Sequence, residues 1–244
     1  MADKKMDICE IYPTIKSSGI NAGKRVLCVR LFGTDFHDSN DLRRYAWDKK
    51  PENMALNRHR MEAKEVVNEI GKISSRFGSW VITGGEPLLQ QDMVLELLKE
   101  YKGAFKGRMP VVEIQTNGFI EPEKELDEFV DKYCVEVKLG NTMDGTPKST
   151  FSSRIQEKVL AWFAANPKAY FMFAVDCEAD IKEVVELQKM FKLDEDRIYL
   201  KPRVIDARGV MRGMSVIWGA CLTYGYTLSN RFYMHAHGRV KRGI

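Results

Sequence analysis

The sequence predicts an α/β fold, namely an incomplete (β/α)6 barrel. The first observation is a series of short, apolar, strand-like runs at Val26–Leu31, Trp80–Thr83, Val111–Gln115, Cys134–Lys138, Tyr170–Val175 and Ile198–Leu200. The second is that helical patterns, with apolar residues every three or four positions, separate these runs. Strands that alternate with helices form parallel sheets with right-handed crossovers. Six such strands fit a partial barrel better than the full eight-unit one.

The helical patterns cover Arg60–Ser74, Leu88–Tyr101, Ile155–Ala165 and Ile181–Phe191. The stretch Asp48–His59 contains proline and asparagines, so we interpret it as a loop between the first strand and its helix. The chain shows no internal repeat, no low-complexity tract and no linker. Residues 1–244 are therefore predicted to form one domain.

Composition and cysteine usage exclude several classes of protein. The 44% hydrophobic and 30% charged residues are typical of soluble proteins, and a net charge of +4 is too small to predict nucleic-acid binding. No apolar run approaches the roughly 20 residues that span a bilayer, and the N-terminus lacks a signal-peptide pattern. The five cysteines are Cys9, Cys28, Cys134, Cys177 and Cys221. They are too scattered for a metal motif and typical of a reducing compartment, so we expect a cytoplasmic location.

Polar and glycine-rich motifs follow four of the predicted strands. They are Gly33–Asp41, Gly84–Pro87, Thr116–Gly118 and Lys138–Asn141. In parallel α/β barrels, ligands bind at the carboxyl ends of the strands. Glycines at such ends let the backbone turn sharply and approach a ligand. We therefore expect these motifs to converge on one pocket.

The order and spacing of these motifs resemble those of the radical S-adenosylmethionine (SAM) enzymes, and most closely the 7-carboxy-7-deazaguanine synthases. The resemblance covers nearly the whole chain, from the N-terminal strand to Lys201-Pro202 and the basic tail. It implies an incomplete barrel of the radical SAM type and a homodimer. It also implies a link to 7-deazaguanine, or queuosine-type, metabolism, in which the family contracts a pterin ring to a 7-deazapurine. In that family a C-x3-C-x2-C loop after the first barrel strand holds a [4Fe-4S] cluster.

The three cysteine positions of that loop read Thr34, Asp38 and Asp41 in this chain. Thiolates ligate iron–sulfur clusters, whereas a hydroxyl and two carboxylates are hard oxygen donors and do not replace them. Arg43 stands where the family has a magnesium ligand, and its charge would repel the cation. We therefore expect neither a cluster nor magnesium.

The resemblance also implies binding residues. For SAM these are Gly84, Gly85, Glu86, Pro87, Thr116, Asn117 and Lys138, and for the substrate Arg30, Gly19 and Gln115. SAM binding should be weak, because the family's SAM is also anchored by the cluster iron. Gln115 replaces the glutamate of the family's E-T-N-G motif, and Lys16, Ser17 and Ser18 replace the Gln, Gly and Glu that read the substrate. A carboxylate is lost there and the ammonium of Lys16 is gained, which reverses the local charge. A site that recognises its substrate through paired hydrogen bonds should then lose most of its affinity for the deazapurine base.

These combined changes lead to the hypothesis of a pseudoenzyme without a cluster, reused to bind a ligand, another protein or an active paralogue; no catalytic residue is assigned. One alternative is an enzyme with non-radical SAM, nucleotide or metal-dependent chemistry. Asp35, His37, Asp38 and Asp41 could bind a hard metal, although a solvated polar loop is favoured. The other alternative is a structural or assembly protein with a vestigial pocket. His235 and His237 share one face if they lie on a strand, but a structural role is favoured over metal binding.

Overall fold

The computed structural model describes residues 4–36, 41, 43–73, 77–142, 150–203 and 207–238. Within these residues the strands are β1 Met6–Ile15, β2 Arg25–Leu31, β3 His59–Met61, β4 Ser79–Gly84, β5 Val111–Thr116, β6 Lys132–Val137, β7 Ala169–Val175, β8 Ile198–Pro202 and β9 Thr227–Leu228. The helices are α1 Pro51–Asn57, α2 Ala63–Ile73, α3 Gln91–Ala104, α4 Lys124–Asp127, α5 Phe151–Arg154, α6 Glu157–Ala165, α7 Glu178–Phe191, α8 Ala207–Tyr224 and α9 Phe232–His237.

The described strands form one open sheet in the order β3-β1-β2-β4-β5-β6-β7-β8-β9. From β2 to β9 all neighbours are parallel, whereas β1 is antiparallel to both β2 and β3. The predicted strands correspond to β2 and β4 to β8, so the prediction of an incomplete (β/α)6 barrel is confirmed. The sheet does not close, because no pairing joins β3 to β9 among the described residues.

Two local predictions were wrong. The stretch Asp48–His59 is not a loop throughout, because Pro51–Asn57 forms α1. Pro51 occupies the first helical turn, where its fixed φ favours the helix and its missing N–H is not needed. The helix predicted from Arg60 begins only at Ala63, because Arg60 belongs to β3 and pairs with Asp7 of β1.

The parallel strands have one apolar face and one polar face. The side chains that pack against the helices are fully buried and apolar, among them Val29, Ile82, Ile114, Val135 and Phe171. Because side chains alternate along a strand, the intervening residues point into the barrel interior. These inward positions include the ionisable groups Arg30, Glu113, Glu136 and Lys201. The fold thus lines its interior with charge and builds its core on the outside of the sheet.

In the part of the chain that is described, no helix combines the length and the apolar character needed to cross a membrane.

Candidate functional site

A cavity of about 530 Å³ opens at the carboxyl ends of the parallel strands. The parallel strands β2 and β4 to β8 each contribute an inward-facing residue to its wall, namely Arg30, Thr83, Gln115, Glu136, Met172 and Lys201. Loops that follow the strands add Thr34, Phe36, Asp41, Arg43, Asn117, Lys138, Asp176, Arg203 and Arg231. A volume in the range of about 300–1,000 Å³ is typical of sites for small molecules.

The structure brings most of the predicted site residues together. Those that line the cavity are Arg30, Thr34, Asp41, Gly84, Gly85, Gln115, Thr116, Asn117 and Lys138. Glu86, Pro87 and Gly19 do not line it. Asp38 lies outside the described residues, as does His37.

Gly84 and Gly85 are required by the packing of the turn after β4. A Cβ atom on Gly84 would lie 2.1 Å from the carbonyl oxygen of Leu31, and one on Gly85 would lie 1.9 Å from that of Gly33. Gly84 also has a φ of +143°, which side-chain-bearing residues rarely adopt. The two glycines therefore let β4 end directly against β2, whether or not a ligand is bound.

The Glu86 carboxylate is fully buried and bonded within the protein. It accepts hydrogen bonds from the backbone N–H of Leu88, at 3.0 Å, and from that of Asn117, at 2.7 Å. The side chain thus caps the short 3-10 helix Pro87–Gln90 and ties it to the turn after β5. Burial raises the pKa of Glu86 to about 7, although these hydrogen bonds act to lower it.

The oxygen atoms at two of the cluster positions are bonded within their own loop. The Thr34 hydroxyl donates to the carbonyl oxygen of Phe36 at 3.0 Å. The Asp41 carboxylate accepts from the backbone N–H of Arg43 at 2.9 Å and from Nε1 of Trp47 at 2.6 Å. These contacts stabilise the loop. They also engage the oxygen atoms that would have to coordinate a metal.

The loop group of Asp35, His37, Asp38 and Asp41 lies partly outside the described residues, which leave out His37 and Asp38. Among the residues that are described, no set of three His, Cys, Asp or Glu side chains is placed to hold a metal ion. His235 and His237 lie on α9 rather than on a strand, so alternate spacing does not put them on one face. His235 contacts Oδ1 of Asn230 at 3.0 Å, and the His237 ring contacts that of Tyr233. The structural interpretation of both histidines agrees with these contacts.

Two cations of the cavity are paired with carboxylates. Nε of Arg30, which is only 4% exposed, lies 3.1 Å from Oε2 of Glu10. Nζ of Lys201 lies 2.7 Å from Oε1 of Glu136. Burial acts to raise the pKa of Glu136, but Lys201 and Lys138 outweigh it and hold that pKa well below its usual range. These pairs are stable because each buried charge has an opposite charge beside it.

Other cations of the cavity have weaker compensation or none. The side chains of Arg43 and Lys138 have no ion-pair or hydrogen-bond partner in the described part of the chain. Arg203 lies 3.9 Å from Asp176, and its buried Nη2 atom has no hydrogen-bond partner. Arg231 donates from Nε to the carbonyl oxygen of Pro202 at 2.8 Å. The described wall of the cavity therefore carries an excess of positive charge.

Comparisons with known proteins agree with this fold. No family model matches the chain. A curated 7-carboxy-7-deazaguanine synthase of Pyrobaculum aerophilum is 29% identical over 240 residues, which are 98% of either chain. Over nearly its whole length the chain is therefore similar to a 7-carboxy-7-deazaguanine synthase. A second curated synthase, of Hyperthermus butylicus, is 23% identical over 233 residues and covers 93% of this chain and 91% of its own.

The solved structures give the same architecture. QueE from Escherichia coli matches with a TM-score of 0.66 over 93% of both chains. At 18% identity this match shows the fold alone. What this chain binds must therefore be inferred from its own side chains.

The closed end of the barrel interior differs from what the family pattern suggested. Lys16 was expected to leave an added positive charge on the substrate-reading strand, but its ammonium is bonded to the buried carboxylate of Glu113. Asn21 donates to Glu113 Oε2 at 2.9 Å, and the hydroxyl of Tyr170 donates to Oε1 at 2.8 Å. Gly19 packs beside this group, since a Cβ there would lie 2.7 Å from the Tyr170 hydroxyl. Charge is therefore balanced at this end.

Sequence reasoning missed Glu113, Glu136, Arg203 and Arg231 as members of the barrel interior. A signal existed for two of them, because Glu113 and Glu136 are isolated carboxylates inside otherwise apolar strands. Such residues usually face an interior that offers a cation or hydrogen-bond donors. No comparable pattern marks Arg203 and Arg231, which follow β8 and precede α9 in irregular chain.

Proposed function

We propose that this chain is a pseudoenzyme of radical SAM fold, which binds a small molecule in its cavity but neither assembles a [4Fe-4S] cluster nor cleaves SAM reductively. One observation supports this above all: at the cluster positions Thr34 and Asp41, oxygen atoms replace sulfur and are bonded within the loop. Reductive cleavage is chemistry of the cluster, which side chains cannot supply. Arg43, which lines the same wall, also disfavours a metal cation.

Anaerobic reconstitution with iron and sulfide tests the loss of the cluster. We expect no cluster absorbance and no stoichiometric iron or sulfide after desalting. A cluster-binding radical SAM enzyme treated in parallel controls for the reagents. Tightly bound iron and sulfide in equal amounts would overturn the proposal.

SAM binding, in this proposal, is weak. Gly84, Gly85 and Asn117 still line the cavity, but the iron that anchors SAM in the family has no ligands here, and the Glu86 carboxylate is engaged inside the fold. Calorimetric titration should give no heat below millimolar SAM. Gly85→Val is unsuitable as a site variant because its side chain would collide with Gly33, so Lys138→Met is the better choice. Tight SAM binding that Lys138→Met weakens would instead favour an enzyme.

We also propose a homodimer that acts in the cytoplasm. Helix α8 supports a protein contact, because Met211, Trp218 and Leu222 share one face and are 73%, 62% and 77% exposed. Light scattering after gel filtration should show a dimer for the wild type and a monomer for Trp218→Glu. A monomeric wild type, or a dimer that persists in Trp218→Glu, would place the contact elsewhere or remove it.

A further inference from the structure

We infer that the cavity holds a phosphate group at the place of the lost cluster, bound by Arg43 and Arg231, with Lys138, directly after β6, on the same cavity wall. This assigns the ligand class as a phosphorylated small molecule. The inference rests on the proposed function, because it requires that no cluster fills this space. Thr34 and Asp41 mark the place, since both line the cavity.

Arg43 is held in position by its own loop. Its backbone N–H donates to the Asp41 carboxylate, which also accepts from Trp47. Directly afterwards the chain forms the 3-10 helix Arg44–Ala46, and the carbonyl oxygen of Ala46 accepts from the N–H of Gly33 at 2.8 Å. The loop is thus tied to itself and to the end of β2. The Arg43 side chain projects from this fixed backbone into the wall of the cavity.

Arg231 lines the same cavity and belongs to the chain between β9 and α9. Its Nε donates to the carbonyl oxygen of Pro202, which leaves the two Nη atoms for a ligand. Burial lowers the pKa of Arg231, Glu136 and Asp41 raise it, and Arg43 lowers it. Arg43 and Arg231 line the same cavity, so their like charges repel each other across it. An anion between them would turn that repulsion into attraction.

The carboxylates of the cavity do not supply this anion. Glu136 is paired with Lys201 at 2.7 Å, and Asp41 accepts from Trp47 and from a backbone N–H. Asp176 is exposed and lies 3.9 Å from Arg203. Neither Arg43 nor Lys138 forms an ion pair or a side-chain hydrogen bond in the described chain, although Lys138 lies 5.9 Å from the ring centroid of Phe36 and acts on the Glu136 carboxylate. Both side chains are half-buried, and a bound anion would compensate their charge where it displaces water.

Phosphate fits this arrangement better than a carboxylate does. Guanidinium groups bind either anion through two parallel hydrogen bonds. A carboxylate has two oxygen atoms and one charge, enough for one guanidinium. A terminal phosphate has three oxygen atoms and up to two charges, and can contact Arg43, Arg231 and Lys138 together. The cavity volume of about 530 Å³ leaves room for a nucleoside or sugar beyond the phosphate.

The test is calorimetric titration of the full chain with AMP, adenosine and inorganic pyrophosphate in low salt. We expect AMP to bind at least about tenfold more tightly than adenosine, which has the same base and sugar but no charge. Arg43→Met should weaken AMP binding by about 10- to 100-fold, because hydrogen bonds to charged groups have that strength. Arg43→Lys keeps the charge but loses the planar guanidinium group, so its affinity for AMP should lie between those of the wild type and Arg43→Met. Arg44→Met is the matched control, since Arg44 is the next residue but exposed and outside the cavity wall, and it should bind like the wild type.

The two probes separate the sources of the phosphate. Tighter binding of AMP than of pyrophosphate would assign a phosphorylated nucleoside, and the reverse order would assign a free inorganic anion. Either order of affinity supports the site only if Arg43→Met weakens the binding of the tighter probe. Equal affinity of the wild type and Arg43→Met, or equal affinity for AMP and adenosine, would overturn the inference. If phosphate binding fails while reconstitution still yields no cluster, only this inference falls; if a cluster assembles, the proposed function falls first.

Discussion

The two ends of the barrel interior treat buried charge differently. At the closed end, Lys16 and Glu113 are 6% and 0% exposed and are bonded to each other. At the open end, Arg43 and Lys138 line the cavity without an ion-pair partner among the described residues. A paired charge at one end indicates a structural closure. Unpaired charges at the other end indicate a surface that a ligand completes.

The closed end gives the largest expected effect. Glu113→Ala leaves the ammonium of Lys16 buried and uncompensated, so we expect a loss of about 3–5 kcal/mol in the free energy of unfolding, measured with urea. The double variant Lys16→Met/Glu113→Met removes both charges and should lose much less than the single one. If Glu113→Ala lost under 1 kcal/mol, roughly the size of an exposed pair, the closed end would have to be open to water.

Glu86 sharpens the comparison, because it is a buried carboxyl group that is held by hydrogen bonds rather than by a cation. Its pKa is raised from 4.5 to about 7, so the native state holds a proton that the unfolded state releases. The stabilisation is therefore full below pH 4.5 and is lost as the pH rises through about 7. The change is roughly 3 kcal/mol, at 1.36 kcal/mol per pKa unit.

The measurement is the free energy of unfolding of the wild type and of Glu86→Gln between pH 4.5 and 8. Gln cannot ionise, so the variant should lose this part of the pH dependence, even if it is less stable at every pH. A wild-type profile that matches the variant in slope would show that Glu86 titrates normally.

Asp41 gives a smaller effect. Asp41→Ala removes the acceptor of Trp47 Nε1 and of the Arg43 N–H, so we expect a loss of about 1–2 kcal/mol. Asp41→Asn keeps an acceptor oxygen and should recover part of that loss. The fluorescence of Trp47 should change in Asp41→Ala more than in Asp41→Asn. Equal stability of both variants and the wild type would mean that Asp41 does not hold the loop.

The open end gives the smallest effect on stability. Arg43→Met removes a cation that has no partner in the described chain, so the free energy of unfolding should change by less than about 0.5 kcal/mol without ligand. With a bound anion present, the wild type alone should gain stability. A large loss in the absence of ligand would show that Arg43 is structural, which would break the contrast between the two ends.

The sequence predicted the strands well and the charge pairing poorly. Runs such as Val111–Gln115 are apolar enough to identify a buried strand, and βα alternation then determines the parallel order. Helix α1 was missed because Pro51 and the asparagines were interpreted as loop signals, although proline is also common at a helix start. Helix α8 was not predicted because Gly209, Gly213 and Gly219 disfavour a helix locally, and β9 is only two residues long.

The candidate site shows the same division. The convergence of Gly84, Asn117 and Lys138 follows from strand order alone. The role of Lys16 cannot be deduced in this way, because its partner Glu113 lies 97 residues away in sequence. Which inward-facing residues meet across a barrel depends on strand register and tilt, and neither is written in the local pattern. The charge at position 16 was therefore recognised while its neutralisation was not.

The contact between Gly85 and Gly33 affects how this protein can be redesigned. The turn after β4 and the loop after β2 touch backbone to backbone, with space for no more than a hydrogen atom between them. The backbone of a grafted loop with three cysteines would follow a different course and would not fit against that turn. An engineer who wishes to reinstall iron–sulfur chemistry should therefore transplant both segments from one donor, as a single unit. For the same reason, the presence of the two glycines in a genome sequence does not report whether its protein still uses SAM.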